Sequence, residues 1–235
     1  MRSASVRALL LATAALCFAS CSTERHVTRP RPAPPPADSP SNAVRLFEWG
    51  WNRRNLDAFH DVLAKDFRFV FSPADSAGNG FQDHPFDRDT MLLVLQHLFV
   101  GGGTQPPATR IALNFDPVLY PLPDSRPGRD PEWHKEIVTR VDLTIKIGDE
   151  LEYRIMGTAR FFVVRGDSAV IPADLVAEGV GPDPRRWYIQ QWNDETLSGG
   201  AAILRALPAV PGPASQTTWG DVLVLYRPVP VAPRH

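Results

Sequence analysis

Residues 137–163 read IVTRVDLTIKIGDELEYRIMGTARFFV. Ile137, Thr139, Val141, Leu143, Ile145 and Ile147 share one side of a period-two repeat, and Arg140, Asp142, Thr144 and Lys146 share the other. This alternation predicts a strand with one apolar and one solvated face. Gly148-Asp149-Glu150 turns the chain. On the return, Leu151, Tyr153, Ile155, Gly157, Ala159, Phe161 and Val163 face inward, with Glu152, Arg154, Thr158 and Arg160 outside. The small inward pair Gly157 and Ala159 permits a bulge or bend, which lets a long sheet curve. An apolar face this extensive needs a covering layer.

The segments upstream supply that layer. Ser39-Pro40 reads as N-cap and first helical residue, followed by Val44, Phe47 and Trp51 at helical spacing. Asn52-Arg53-Arg54-Asn55 ends this helix, and Asn55 caps a second one striped by Leu56, Phe59, Val62 and Leu63. Phe67–Phe71 alternates as a strand, residues 72–80 form a loop, and Asp87 caps a third helix carrying Met91, Leu92, Leu95, Leu98 and Phe99. Gly101-Gly102-Gly103 stops it. Ala108–Phe115 and Trp187–Trp192 complete the expected strands. Residues 120–131 and 166–185 read as long loops, the second with a short strand near Ala169-Val170-Ile171.

Helix, helix, strand, helix and then a curved antiparallel sheet resembles the cone of the nuclear transport factor 2-like (SnoaL-like) superfamily, an α+β fold with three N-terminal helices packed on the sheet. Leu56-Asp57-Ala58-Phe59 with Leu63 and Asp66-Phe67-Arg68-Phe69 resembles its second helix running into its first strand. Residues 157–165 and 187–194 resemble its last two strands. The resemblance covers roughly 39–197. It implies a pocket between sheet and helices, in which enzymatic members place an Asp or His as general base. It also implies a homodimer through the sheet. The loops at 118–133 and 166–185 depart from the enzymatic members, so pocket residues do not transfer by position.

No motif in the chain identifies a reaction. HExxH, a phosphate-cradling glycine loop and GxSxG are missing from the sequence. His97 sits mid-helix among apolar residues, where a packed histidine is the commoner outcome than a catalytic one. Asp83-His84-Pro85-Phe86-Asp87-Arg88-Asp89 is the densest run of potential ligands, and helix capping explains its acids without a metal. Asp83, His84 and His97 are the weak catalytic candidates, and Asp142 lies on the polar face. Tyr153, Phe161, Trp187 and Trp192 are the candidate pocket lining for a small apolar ligand. No cofactor is called for. The reading leans toward a domain that binds a small apolar ligand or an envelope protein, with a proton-transfer enzyme of isomerase or dehydratase type using the cone pocket as the alternative.

The N-terminus speaks to location. Arg2 and Arg7 precede an apolar run, Ala8–Ala19, of signal-peptide length. That run is shorter than the roughly 20 residues needed to span a bilayer. Phe18-Ala19-Ser20-Cys21 resembles a bacterial lipobox, with Phe18 where leucine is usual, and implies lipidation at Cys21. An ordinary signal cut after Ser20 is the alternative. Ser22, in place of a retention-type Asp, points to the outer membrane facing the periplasm. The expected organisation is a signal at 1–20, a lipidated Cys and Pro-rich linker at 21–38, the domain at 39–197, and a linker with a short helix at 198–235. Cys17 leaves with the signal and Cys21 carries lipid, so the mature chain has no thiol chemistry. The net charge of -1 becomes -3 without the two leader arginines. Such a balance gives no footprint for nucleic acid. Thr218-Trp219-Gly220-Asp221 reads as a capping box, and Val222, Leu223, Leu225 and Tyr226 as two amphipathic turns that dock on the domain.

Overall fold

The computed structural model describes residues 33–72, 85–149, 151–196 and 215–228. Cys21, most of the Pro-rich linker, Asp83, His84 and the connection 197–214 lie outside them.

Helix α1 (Pro40–Arg53) starts where the capping signals put it. The Ser39 side chain accepts the Asn42 N–H, Pro40 opens the helix, and Arg54 closes it in the left-handed region (φ 51°). Asn55 caps α2 (Leu56–Val62) by accepting the Ala58 N–H at 2.8 Å. α2 runs directly into β1 (Leu63–Val70). After the two-residue β2 (Phe86–Asp87), the Asp87 carboxylate accepts the Thr90 N–H at 2.8 Å and starts α3 (Arg88–Phe99). Hydrogen bonding to Thr90 holds the Asp87 carboxyl below its usual range, so capping accounts for this acid.

The strands that follow are β3 (Ala108–Phe115), β4 (Leu122–Pro123), β5 (His134–Ile147), β6 (Leu151–Gly166), β7 (Asp183–Thr196) and β8 (Ser215–Thr217). A short α4 (Ala173–Ala177) precedes β7, and α5 (Trp219–Leu225) follows β8. The sheet order is β2-β1-β7-β6-β5-β3, with β4 on β5 and β8 on β6. The β5–β6 hairpin pairs without interruption from Ile147↔Leu151 to His134↔Val164, and the inward residues read from the alternation are buried along nearly all of it. Only Leu151, at the hairpin end, is exposed on that face.

Three expectations are corrected. The sheet is mixed, because β1 runs parallel to β7 and β8 parallel to β6. A parallel pair needs a long crossover, and the α3-to-β6 stretch between β1 and β7 supplies it. The irregularity near Gly157 is conformational: Gly157 has φ +145° with continuous β5–β6 register. The register shifts instead where Phe162 pairs Gln191 but Val163 pairs Ile189, so Gln190 is the extra residue. Ala169-Val170-Ile171 forms a turn into α4, not a strand. Its apolarity reflects burial: Val170, Ile171 and Leu175 pack with Ala64, Val164 and Tyr188 in a second, smaller core.

The main core lies between the sheet and α1–α3. α1 also protects the sheet edge. β3 is the terminal strand, and its outer backbone groups would be free to pair with another chain. The Asn52 amide instead accepts Leu113 N–H (2.7 Å) and donates to Leu113 C=O (2.8 Å), while Glu48 accepts Phe115 N–H at 2.9 Å. The guanidiniums of Arg45 and Arg54 donate to the carbonyls of Asp116 and Ala108.

Candidate functional site

The interior of the cone is aromatic. Phe47 and Trp51 reach in from α1, Phe59 from α2, Phe115 from β3, Phe161 from β6 and Trp192 from β7. Trp219, the first residue of α5, enters among them. Its ring centroid lies 4.3 Å from Trp192, 5.1 Å from Trp51, 6.1 Å from Phe47 and 6.4 Å from Phe115, mostly edge to face. Such geometry suits the ring quadrupoles. Trp219 is fully buried and directly follows β8 in the chain, after Thr218.

Beside Trp219 stands the one acid of this interior among the described residues. Residues 192, 194 and 196 of β7 share a face, so Asp194 points inward with Trp192 and Thr196 and is 2% exposed. Its Oδ1 accepts the Thr196 N–H (2.9 Å) and hydroxyl (2.5 Å), and its Oδ2 accepts the Gly220 N–H (2.7 Å). The Thr196 hydroxyl oxygen in turn accepts the Trp219 N–H at 3.0 Å. Thr218 takes the Asp221 N–H at 3.0 Å. The first three amide donors of α5, which a helix leaves without internal partners, are therefore all satisfied, two of them by β7. Burial pushes the Asp194 carboxyl up to about 6, against the lowering effect of the Thr196 hydroxyl, the Thr196 N–H and the Gly220 N–H. The nearby Asp221 charge adds to the rise.

The expected site residues separate. Phe161 and Trp192 lie together in the aromatic interior, their rings 6.1 Å apart and nearly parallel. Tyr153 and Trp187 lie near opposite ends of β6: Tyr153 pairs Ser215, and Trp187 pairs Arg165. All four side chains are buried. His97 is at the end of α3, with Nδ1 2.9 Å from the Tyr226 carbonyl, so it holds the C-terminal segment. Asp142 is half exposed beside Arg154, as its parity requires. Asp194 and the role of Trp219 escape a motif search. The same inward parity that marks Trp192 also marks Asp194 and was the available signal.

The outer face of the sheet is partly covered by the chain's own loops. Arg126, on the 118–133 loop, lies over Phe162 (4.2 Å to the ring centroid). Its guanidinium donates to both carboxylate oxygens of Asp124, and to Gln190 at 2.9 Å and Gln191 at 3.0 Å. Gln190 passes the chain of bonds to Asp66 at 2.7 Å. On the same face Glu136 accepts from Ser125 N–H and from Arg160, and Arg160 also reaches Glu195 at 2.8 Å. The Asp124 side chain is fully buried, so removing its cation strands a desolvated charge. Arg126→Ala is expected to cost about 2–4 kcal/mol in urea unfolding. It should also raise amide exchange across 118–133 before the rest of the domain.

A cleft of about 530 Å³ lies outside the cone, between Pro34–Asp38 and Leu46, Asp61, Arg185 and Arg186. The Trp187 N–H donates to Ala37 C=O and Arg186 to Asp61, so the chain preceding α1 is tied down along its rim.

The element order gives an α+β fold, a curved mixed sheet with helices on one face. Similar solved structures include a conserved protein from Planctomyces limnophilus (8% identity, 67% of this chain and 92% of that chain, TM-score 0.45). Another is a nuclear transport factor 2-like superfamily protein from Salmonella enterica serovar Typhimurium (6% identity, 71% and 92%, TM-score 0.43). A third is a type 2 hexachlorocyclohexane dehydrochlorinase, LinA (9% identity, 72% and 90%, TM-score 0.43). No protein-family model and no curated protein sequence matches the chain. Likeness at this level transfers no residue roles.

Proposed function

We propose that the protein is a lipid-anchored component of the bacterial envelope whose cone domain works as a binding module and not as an enzyme. The observation that carries this reading is Trp219, which fills the centre of the cone where an enzyme would need room for a substrate. The fold itself is consistent with ligand binding or with isomerase and dehydratase chemistry. The lipobox-like Cys21 and the Pro-rich stretch behind it support a tethered domain held off a membrane surface. Cys21→Ala should move the protein from the membrane pellet to the soluble fraction; persistence in the pellet overturns the anchor. Native mass spectrometry of the protein extracted from envelopes then tests the module. A co-purifying protein partner at fixed stoichiometry is expected, and a small-molecule adduct would return the cone to a ligand pocket.

Asp194 favours a second reading. A buried carboxyl near pKa 6 is poised for proton transfer. In this arrangement both oxygens are taken by Thr196 and Gly220, so the tail helix must leave before Asp194 can reach a substrate. Deuterium incorporation from solvent into aromatic ketones, present in wild type and lost in Asp194→Asn, would establish that activity.

A further inference from the structure

The C-terminal segment is held the way a bound peptide is held. β7 ends at Thr196, which pairs Gly157, so the stretch of β6 beyond it loses its β7 neighbour. β8 fills that lane in the parallel sense, with Ser215 opposite Tyr153 and Thr217 opposite Ile155. An extended segment completing a free sheet lane is a recurring mode of peptide recognition. Immediately after it, Trp219 anchors in the aromatic box, and Asp194 and Thr196 take the backbone N–H groups of Gly220 and Trp219. Val222, Leu223 and Tyr226 complete the buried side of α5. The far end is fixed by His97 on the Tyr226 carbonyl and by the Tyr226 hydroxyl on Pro106 C=O at 2.8 Å. Strand addition and the bonds to the Trp219 and Gly220 amides fix the backbone of the segment, and the Trp219 side chain in the aromatic box selects its sequence.

We propose that the cone is a peptide-binding site specific for a tryptophan at a helix start, occupied in this structure by the chain's own residues 215–226. Tethering keeps the site filled, because an attached segment has an effective concentration on the order of millimolar. The same segment of a second copy has the same chemistry and competes for the site once the tether is cut. This inference does not depend on the envelope role proposed above, and its test uses neither membranes nor envelope partners.

The experiment places a site-specific protease sequence at 205–210 of the full chain, folds the protein intact, and then cuts it. The cut protein should keep its C-terminal fragment as a one-to-one complex on size exclusion. A fluorescent peptide of residues 215–228 in excess should replace that fragment faster than the domain globally unfolds, as timed by hydrogen exchange. The same peptide with Trp219→Ala should bind at least about 30-fold more weakly. Unfolding on cutting, or replacement only at the global unfolding rate, would make the segment an integral part of the core and overturn the proposal. Equal binding by the Trp219→Ala peptide would overturn its specificity.

Discussion

Trp219→Ala is expected to destabilise the domain by about 3–5 kcal/mol. The indole is fully buried and touches aromatic side chains from α1, β3 and β7 at once. Deleting it removes both the transfer free energy of a large side chain and the packing around the space it leaves. Those neighbours cannot collapse readily, because they sit on elements already fixed by the β5–β6 hairpin and the α1 caps. The Trp219 Nε1 has no hydrogen-bond acceptor among the described residues, so the loss is one of packing. Trp219→Phe should therefore recover about half of it. Denaturant unfolding followed by circular dichroism checks both variants. An alanine variant within about 1 kcal/mol of wild type would mean that the cone stands without its C-terminal segment.

The second large effect is a pH dependence centred on Asp194. Its folded pKa of about 6 lies above the ordinary carboxyl value of 3.8. The folded state thus holds this proton more tightly than the unfolded chain does. The resulting stabilisation is complete below about pH 3.8 and is lost as pH rises through about 6. The gap between the two values corresponds to about 3 kcal/mol in all, of which roughly half disappears between pH 5 and pH 8. Asp174 moves the other way: although its own burial would raise it, Arg88 and His60 hold it down at about 2, so its contribution is lost only in strong acid. Stability measured between pH 5 and pH 8 should fall in wild type, and Asp194→Asn should remove that part of the slope. Every other titrating group is common to both proteins and cancels in the difference. Identical slopes would show that Asp194 is ionised throughout. Because Asp194 holds the Gly220 N–H, the same titration loosens or tightens α5 first.

Local chemistry determined much of this molecule from sequence. Ser39, Asn55, Asp87 and Thr218 each cap the helix that their position announces, because a cap is a bond between residues two or three apart. The β5–β6 hairpin follows from strict alternation, since the side-chain period of a strand is fixed at two. The parallel pairing of β1 with β7 and the bulge at Gln190 depend on partners far away in the chain, and no neighbouring residue encodes them. The same holds for the loops. Arg126 and Asp124 read as surface charges until the fold lays them over Phe162 and Gln190.

For the candidate site the division is sharper. Inward parity on β7 makes Asp194 a buried acid in principle, but only the arrival of α5 gives its carboxylate the Gly220 N–H. Trp187 and Trp192 look alike in sequence, five residues apart on one strand, yet one meets Arg165 at an end of the sheet and the other Trp219 at the centre. Sequence alone determined the main helices and long strands, their caps and the class of fold, because these rest on interactions within a turn or a hairpin. Tertiary structure alone decided that the cone is filled and by which residue, because Trp219 and Trp192 meet across 27 positions of chain and only the assembled sheet brings them within 4.3 Å.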